Sequence, residues 1–517
     1  MDPSRFLFLF FCLSGSLNAQ PHLVWQKSLG GSNTDQATVV RQVFNEGYIV
    51  AGNTRSIDGD IFGSHGGTDI WLVKLNDGGS IQWKRNYGGN DNDRIYSLEE
   101  TRANGLVMAG HTHSNNWDVS GNHGDYDAWV VKLDSIGAIQ WQRCFGGTGW
   151  EEAKSIKQTK DGGYVFTGFA SSVDGDLTQN KGSFDLWVVK LDSLGNIEWQ
   201  RTYGGSGEDL GYSISPTLDG GYIVSGETQS NNGDVTGFHG ALDYWVLKLN
   251  FEGKIEWQKA MGGASFDRTA EVLRTSDEGF VVLGETFSNN GDVTGNHGER
   301  DIWVVKLTSA GEVLWQKAIG GSNEDYAGSI IQTEDGKYVI TGETQSNNGD
   351  VNGNDGGADI WVVKIKEGGE IEWEKTFGGT MAESGISIQQ TEEGGFVVAG
   401  YAWSNNGDVT GVKGKNDFWV IKLSAESTPT IFPTSTPLTI YPNPTQSTIT
   451  LKLPTQEPAT FITITDLLGR VISSQTTTTG LDGAVKMDVG TWPEGLYLVT
   501  AATSSGQVFF GKVSKQE

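Results

Sequence analysis

Along residues 22–423, short runs of alternating polar and apolar residues are separated by clusters of Gly, Asp and Asn. Alternation with period two marks strands covered on one face, and Gly, Asp and Asn mark the turns between them. The fourth copy of the pattern shows the elements. Ile197–Arg201 alternates and stops at Gly204-Gly205; Tyr212–Thr217 is a second strand, and Asp219-Gly220-Gly221 is a turn. Tyr222–Thr228 is a third strand, Ser230–Asp243 is a long loop rich in Asn, Gly and Asp, and Tyr244–Leu249 is a fourth strand.

The pattern returns every 58 residues. Trp71, Trp129, Trp187, Trp245, Trp303, Trp361 and Trp419 each sit in the phrase Asp-x-Trp-Val-Val-Lys-Leu or a near copy, and Trp25, Trp83, Trp141, Trp199, Trp257, Trp315 and Trp373 keep the same step. Seven copies of four strands, without an insertion, predict an all-β, seven-bladed β-propeller over residues 20–423. A solenoid is the alternative, but it calls for capping segments that the sequence does not display. The tight hairpin from Trp187 to Trp199 keeps its two strands in one blade. Blades then begin at the second strand of each copy, the Leu23–Lys27 strand is left over, and the last blade (Gly385–Leu423) lacks its outer strand. The expected solution is that the first strand completes the last blade, removing two exposed sheet edges. Both Trp columns are assigned to the core between neighbouring sheets. Lys74 and its six equivalents sit mid-strand beside Trp, either paired with a buried carboxylate or snorkelling to the rim.

Composition narrows the function. The chain of 517 residues carries a net charge of −27, which repels phosphate backbones and argues against a nucleic-acid partner. Residues 1–19 read as a signal peptide: Arg5 precedes an apolar run from Phe6 to Leu13, and Ala19 offers a small residue before Gln20. The mature chain then holds one cysteine, Cys144, in an outer strand, where a buried inert thiol is expected. No other apolar run is long enough to span a membrane.

After a Pro/Thr/Ser linker at 424–437, composition changes. Alternating runs at Ser447–Lys452, Thr460–Asp466, Val485–Val489, Leu496–Thr500 and Val508–Val513 predict a small Ig-like β-sandwich over 438–517. Tyr441-Pro442-Asn443-Pro444, Asp466-Leu467-Leu468-Gly469-Arg470, Pro493-Glu494-Gly495-Leu496-Tyr497 and Gly511-Lys512-Val513 stand there in order. On these motifs the tail resembles the type A sorting domain of the type IX secretion system. The resemblance implies partnership with that machinery, passage through the outer membrane, removal of the tail and a secreted or surface-attached product. The repeats resemble a family of secreted propeller-like chains with Trp-x-Lys-x-x-Gly-Gly and Asp-Gly-Gly-Tyr-Ile-Val-x-Gly phrases; no catalytic motif of that family maps onto these positions.

Three columns are acidic in every copy: Asp35, Asp93, Glu151, Asp209, Asp267, Asp325 and Glu383; Asp60, Asp118, Asp176, Asp234, Asp292, Asp350 and Asp408; and Asp69, Asp127, Asp185, Asp243, Asp301, Asp359 and Asp417. They have two readings. Asp side chains cap turns, and hard carboxylate oxygens in Gly-rich loops suit Ca²⁺, with the second column as candidate ligands. All three columns fall with the long polar loops on one face, the expected working surface.

Positions that differ between otherwise constant copies are the candidates for ligand binding. At the end of the third strand these are His111, His113, Glu227, Glu285, Glu343, Tyr401 and Trp403; Trp117 replaces a Gly found in the other six copies, and Trp150 stands in a Gly-Gly loop. Aromatics beside acids and amides suit a carbohydrate or peptide ligand. His111-x-His113 also offers two ligands to Zn²⁺ or Cu²⁺, without a defined third. The expected function is a surface binding module for a glycan or a protein. An extracellular glycoside-active enzyme, with Glu227, Glu285 and Glu343 as its only acid candidates, and a scaffold without a small ligand are the alternatives.

Overall fold

The phrase Asp-x-Trp-Val-Val-Lys-Leu has no polar face, so a strand made from it must be covered on both sides. The computed structural model bears this out: Asp69–Leu75 and its six equivalents are buried along their whole length. The structure describes residues 20–43, 47–426, 438–453, 459–466, 471–476, 484–503 and 508–516. The signal-peptide reading of 1–19, and Gly469 and Arg470 of the tail, lie outside the described residues.

The first compact unit spans Gln20–Glu426, so it extends three residues into the expected linker. Ser424 donates its N–H to the His22 carbonyl (2.9 Å) and Glu426 accepts from Lys364 Nζ (2.7 Å). Among the described residues the unit holds seven four-stranded antiparallel sheets. In the first, Asp35–Val43, Gly47–Thr54, Asp69–Leu75 and Ile81–Tyr87 pair in chain order. Five more follow the same order. The last consists of Glu383–Gln390, Phe396–Ala402 and Asp417–Leu423, and its fourth strand is Leu23–Leu29 from the other end of the chain. The leading strand of each sheet lies against that of the next, and Glu383–Gln390 lies against both Asp325–Gln332 and Asp35–Val43. Each leading strand carries a bulge at the same place, as between Ala37 and Val39. In several copies a serine of the preceding sheet satisfies an N–H just past the bulge: Ser387 Oγ accepts from Val40 (3.2 Å) and Ser97 Oγ from Ile156 (3.2 Å).

The Trp71 column, on the third strand of each sheet, fills the space between sheets. Trp71 packs on Phe418, Trp187 on Phe166 and Trp303 on Tyr244, with ring centroids 4.6–5.4 Å apart. Burying roughly 200 Å² of aromatic surface is worth roughly 5 kcal/mol per residue, as an upper figure. The second Trp column departs from the expectation. It lies on the outermost strands, and apart from buried Trp373 these rings are half-buried. They lean edge-on against an aromatic of the next sheet, as in Trp25–Tyr48 and Trp141–Tyr164. An outermost strand has a neighbour on one side only, which leaves part of a large ring in solvent.

The lysine column is buried, and its amines end at the turns of the opposite face. Lys190 reaches Asp161 and Glu198, Lys248 reaches Asp219 and Glu256, and Lys306 reaches Asp277, all at 2.8–2.9 Å. Lys132 lacks such an acid, because Ala103 stands where the other turn carries Asp161. It donates to the Leu133 carbonyl (2.7 Å), and burial lowers its pKa.

The first and third acidic columns are interior. Asp35 is fully buried and accepts from Gly31 N–H and Ser56 Oγ, both at 2.8 Å, and from Thr54 Oγ1. Asp69 accepts from Ser64 Oγ (2.7 Å) and His65 N–H (2.6 Å) through one oxygen. Its other oxygen has no partner, and the same holds for Asp127, Asp243, Asp301, Asp359 and Asp417. The two columns face each other across the first glycine of each Gly-Gly loop. A Cβ on Gly88 would lie 2.7 Å from an Asp93 oxygen and 2.8 Å from an Asp69 oxygen, so only glycine fits there. Burial pushes Asp127, Asp185, Asp359 and Asp417 up to about 6.

The second unit holds the described residues of the tail. Thr439–Tyr441, Thr448–Lys452 and Ala484–Asp488 form one antiparallel sheet; Val471–Thr476, Ala459–Asp466, Gly495–Thr503 and Val508–Lys515 form another. Ile440, Ile449, Leu451, Ile462, Ile464, Val499 and Val513 share one core. The sequence reading missed Thr439–Tyr441 and Val471–Thr476, which are short and carry few apolar residues.

Two predictions follow from this packing. In six sheets the third-strand Trp donates its Nε1–H to Gln or Glu on the outermost strand, as Trp129 does to Gln142 (2.8 Å) and Trp361 to Glu374 (3.0 Å). Trp71 faces Lys84, which has no acceptor, and its Nε1 is buried without a partner. Lys84→Gln supplies the acceptor and should raise stability by about 1 kcal/mol, read as a higher denaturant midpoint; an unchanged or lower midpoint contradicts the assignment. The second concerns pH. The four carboxyls raised to about 6 bind protons in the folded chain that an unfolded chain, near 3.8, has released. Their contribution therefore declines as pH rises from about 4 to 6. Asp161, Asp219, Asp277 and Asp335, held down to about 2, contribute above about 4 and lose that as pH falls. The melting temperature should peak near pH 5 and drop by on the order of 5 °C at pH 7.5. A melting temperature that climbs steadily from pH 5 to 8 rules this out.

Candidate functional site

Strand direction puts the Gly-Gly loops and the long polar loops at the same end of the sheets, where the three acidic columns lie. The exceptions to the repeat decorate this face. Trp117, Trp150 and Trp403 are 71%, 40% and 46% exposed, so packing does not call for them. Trp117 adopts a positive φ of 57° where the copies carry Gly, a conformation that costs a side chain about 1–2 kcal/mol. It donates its Nε1–H to Asn90 Oδ1 (3.0 Å) and stacks on His65 with centroids 4.6 Å apart.

Trp150 anchors an aromatic band. It lies 5.2 Å from Tyr126 and 6.2 Å from Phe184; Tyr126 in turn stacks on His113 and meets His111 edge-on, both at 4.9 Å. Beneath the band is a charged network. Glu152 accepts from Trp150 Nε1 (2.9 Å), pairs with His111 (3.1 Å) and contacts Lys154. Burial alone would raise the Glu152 carboxyl, but His111 and Lys154 hold it down near 2. Lys154 also lies over the Tyr96 ring at 3.6 Å. His111 is buried and committed to Glu152, while His113 lies 3.4 Å from Asp125. The two imidazoles have separate partners, and the residues do not fit a Zn²⁺ or Cu²⁺ site.

Glu285, Glu343 and Tyr401 come together. With Tyr326, Ser384, Ala327, Gly342, Gly385 and Ile386 they line a pocket of about 370 Å³. Glu285 pairs with Arg300 (3.1 Å) and accepts from Ala327 N–H (3.2 Å). Arg300 is sandwiched between Phe287 (4.4 Å) and Tyr326 (4.2 Å). Burial lifts Glu285 to about 7 against the pull of Arg300, and burial also lifts Glu343. The pocket thus sets two half-buried carboxyl groups beside two phenols and a hydroxyl, a set that can both donate and accept hydrogen bonds. Glu227 is not part of it: it is buried, accepts from Tyr212 Oη (2.8 Å), and leaves Oε2 unpartnered. Trp117 and Trp403 also lie outside the pocket lining.

Sequence reading missed Tyr126, Glu152, Lys154, Arg300 and Ser384. The same criterion would have found several of them. The position before the third acidic column reads Thr68, Tyr126, Phe184, Leu242, Arg300, Ala358 and Asn416, and the position after the first reads Gln36, Arg94, Glu152, Leu210, Arg268, Tyr326 and Ser384. Both vary as much as the strand-end column does.

The second acidic column was the candidate for Ca²⁺. Asp60, Asp176, Asp234 and Asp292 each accept from the first amide of a Gly-Gly loop at 3.1–3.2 Å, and Asp118 and Asp350 do so at 3.4 Å. All seven also donate their own N–H to the carbonyl of that first glycine, as Asp408 does to Gly378 (2.9 Å). These carboxylates cap loops, and among the described residues no group of three His, Cys, Asp or Glu side chains is arranged to hold a metal ion. The set does not fit Ca²⁺ as it stands. Cys144 is buried, and burial raises its thiol pKa well above the usual value, as an inert cysteine requires.

In the tail, Asn443 ties the Tyr441-Pro442-Asn443-Pro444 motif to the last strand: its Nδ2 donates to the Lys512 carbonyl (2.8 Å) and its Oδ1 accepts from Ser514 N–H (2.9 Å). Gly511 lies against Ile440, where a Cβ would come within 2.6 Å. Near Gly495, Tyr497 Oη donates to the Pro493 carbonyl (2.6 Å).

Residues 439–515 match the family model for a secretion system C-terminal sorting domain. The regulatory protein FlaEY of Caulobacter vibrioides is 23% identical over 214 residues, which are 37% of this chain and 22% of that protein. Solved structures similar to the chain include Sqt1 from Chaetomium thermophilum, with a TM-score of 0.39 and 12% identity over 78% of this chain and 100% of that one. An ACO/RPE65 chimera also has a TM-score of 0.39 and 12% identity, over 80% of this chain and 95% of that one. Among the described residues no helix is long and apolar enough to cross a membrane. The chain is a propeller-like all-β protein that carries the sorting domain of the type IX secretion system, and it is secreted, either extracellular or attached to the outer cell surface.

Proposed function

We propose that residues 20–426 form a closed seven-bladed propeller that works outside the cell as a glycan-binding module, and that the tail is removed once it has engaged the secretion machinery. The pairing of Leu23–Leu29 with Asp417–Leu423 supports closure. The observation that carries the binding reading is the pocket of Glu285, Tyr326, Glu343, Ser384 and Tyr401. It occupies one sector of a repetitive scaffold, at positions where the copies differ. Carboxyl, phenol and hydroxyl groups around a concave wall match the hydroxyl pattern of a sugar, and the phenol rings offer apolar faces to its C–H groups. A phosphorylated or nucleic-acid ligand fits neither these carboxyls nor the net charge of −27.

One observation favours a second reading. Glu285, at about 7, is protonated for much of the time at neutral pH, and Glu343 lies in the same pocket. An acid and a carboxylate in one cleft are what glycoside hydrolysis needs.

Retention of the mature chain on immobilised polysaccharides, scored alongside release of reducing ends, tests both readings. Tyr401→Ala and Glu343→Gln should each weaken retention on the preferred polymer by tenfold or more, with no sugar released. Variants that bind like the parent would remove the pocket from the account. Release of sugar that Glu285→Gln abolishes without loss of retention would establish the enzyme instead.

A further inference from the structure

The turns at the opposite end of the sheets are short and nearly uniform, except beside the fourth sheet. There a groove of about 510 Å³ opens, lined by Trp199, Arg201, Pro216, Tyr222 and Phe251 among others. Two of these residues break the repeat. Pro216 stands where the other copies carry Gln42, Glu100, Gln158, Arg274, Gln332 and Gln390. Phe251 stands where they carry Asp77, Ser135, Ser193, Ser309, Glu367 and Ala425, and it is 65% exposed.

Several hydrogen-bonding groups stand open beside these two residues. In other copies the Gln holds the neighbouring turn by accepting a backbone N–H: Gln158 from Arg102 (3.0 Å), Gln332 from Ser276 (2.8 Å) and Gln42 from Glu392 (2.9 Å). The equivalent N–H is that of Lys160, and Pro216 has no acceptor to offer it. In three copies the outer-strand Trp donates Nε1–H to the following turn, Trp25 to the Asp77 carbonyl (2.9 Å), Trp257 to Ser309 (3.2 Å) and Trp315 to Glu367 (2.8 Å); Trp83, Trp141 and Trp199 make no such bond among the described residues. The equivalent acceptor for Trp199 is the Phe251 carbonyl, and that bond is not made among the described residues. Tyr48 Oη accepts from Lys422 Nζ (2.6 Å), but at Tyr222 the corresponding Lys190 is saturated by Leu191, Glu198 and Asp161. Trp199 Nε1 and Tyr222 Oη therefore have no partner among the described residues, and both residues line the groove. The guanidinium of Arg201 spends only Nε, on the Glu252 carbonyl (3.0 Å).

We infer that this groove is a second carbohydrate subsite, which takes a neutral pyranose with its C–H face on Phe251 and its hydroxyl oxygens accepting from Trp199, Tyr222 and Arg201. An exposed ring beside uncommitted donors is the arrangement that stacks and fixes a sugar. The lining sets Lys160, Lys190 and Arg201 against Asp161, Glu198 and Glu252, so its formal charges balance and do not select an ionic sugar. The groove lies at the opposite end of the sheets from the pocket of Glu285 and Tyr401. A chain that uses both would bridge two polysaccharide strands.

The inference goes beyond the loop-face reading and stands apart from it in the test. The mature chain is titrated by calorimetry with neutral glucose and mannose hexasaccharides, together with Phe251→Ser and Tyr401→Ala. Phe251→Ser restores the residue of other copies and so leaves the turn intact, which an unchanged melting temperature verifies. The expected result is two sites on the parent and one on Phe251→Ser, the lost site weakened by tenfold or more. Tyr401→Ala should leave the groove site in place. A single site that only Tyr401→Ala removes overturns the groove and keeps the pocket; a single site that only Phe251→Ser removes keeps the groove and overturns the pocket. No binding of any hexasaccharide, or parent-like binding by Phe251→Ser, overturns the inference.

Discussion

The structure depends on a strand that cannot face water on either side. The third strand of every sheet is buried throughout, and its Trp is driven into the space between two sheets. One repeat cannot satisfy that demand alone, because half of the surface it must cover belongs to the next repeat. Neighbouring copies in register supply the cover. The seventh sheet, left one strand short where the repeats stop, takes Leu23–Leu29 as its fourth strand. Other regularities serve the same contact: the Gln that receives the Trp Nε1–H, the serines that satisfy the bulged strands, and the lysines whose stems line the sheets while their amines end at the turns.

The loop face is constrained in another way. Two buried carboxylates meet across each Gly-Gly turn, and glycine is required because a Cβ would occupy the gap between them. Thr and Ser hydroxyls and loop amides satisfy most of the oxygens, and the remaining one in six of the copies has no partner. This arrangement holds long loops in place at a cost in charge burial, which appears as raised carboxyl pKa values. A rigid frame of this kind leaves the loop tips and strand ends free to vary without loss of the fold.

Much of this was legible in the sequence because it is periodic. Strand positions, the core role of the Trp71 column and the face on which the loops gather follow from a 58-residue step and an alternation of two. What escaped has physical reasons. Trp25 and its equivalents repeat as regularly as Trp71, but regularity does not tell how much of a ring on an outermost strand the next sheet covers. His111 reads as an exposed ligand because its strand ends at the loop face; its burial comes from Glu152, Tyr96 and Tyr126, which no local pattern links to it. Glu227, Glu285 and Glu343 are equivalent in sequence, yet only the last two share a pocket, because Tyr212 takes up the first. Pro216 and Phe251 are departures from the repeat, but they lie on the face of short turns, where period alone does not show that they line one groove.

Constant positions build a symmetric scaffold, and we propose that recognition resides where the symmetry breaks. Hydrogen–deuterium exchange of the mature chain, with and without a neutral hexasaccharide that it retains, tests this most directly. The expected result is ligand protection confined to segments around Glu285, Tyr326, Glu343 and Tyr401 and around Pro216, Tyr222 and Phe251, with the equivalent segments of the other repeats unchanged. Equal protection at equivalent positions of all seven repeats would contradict it.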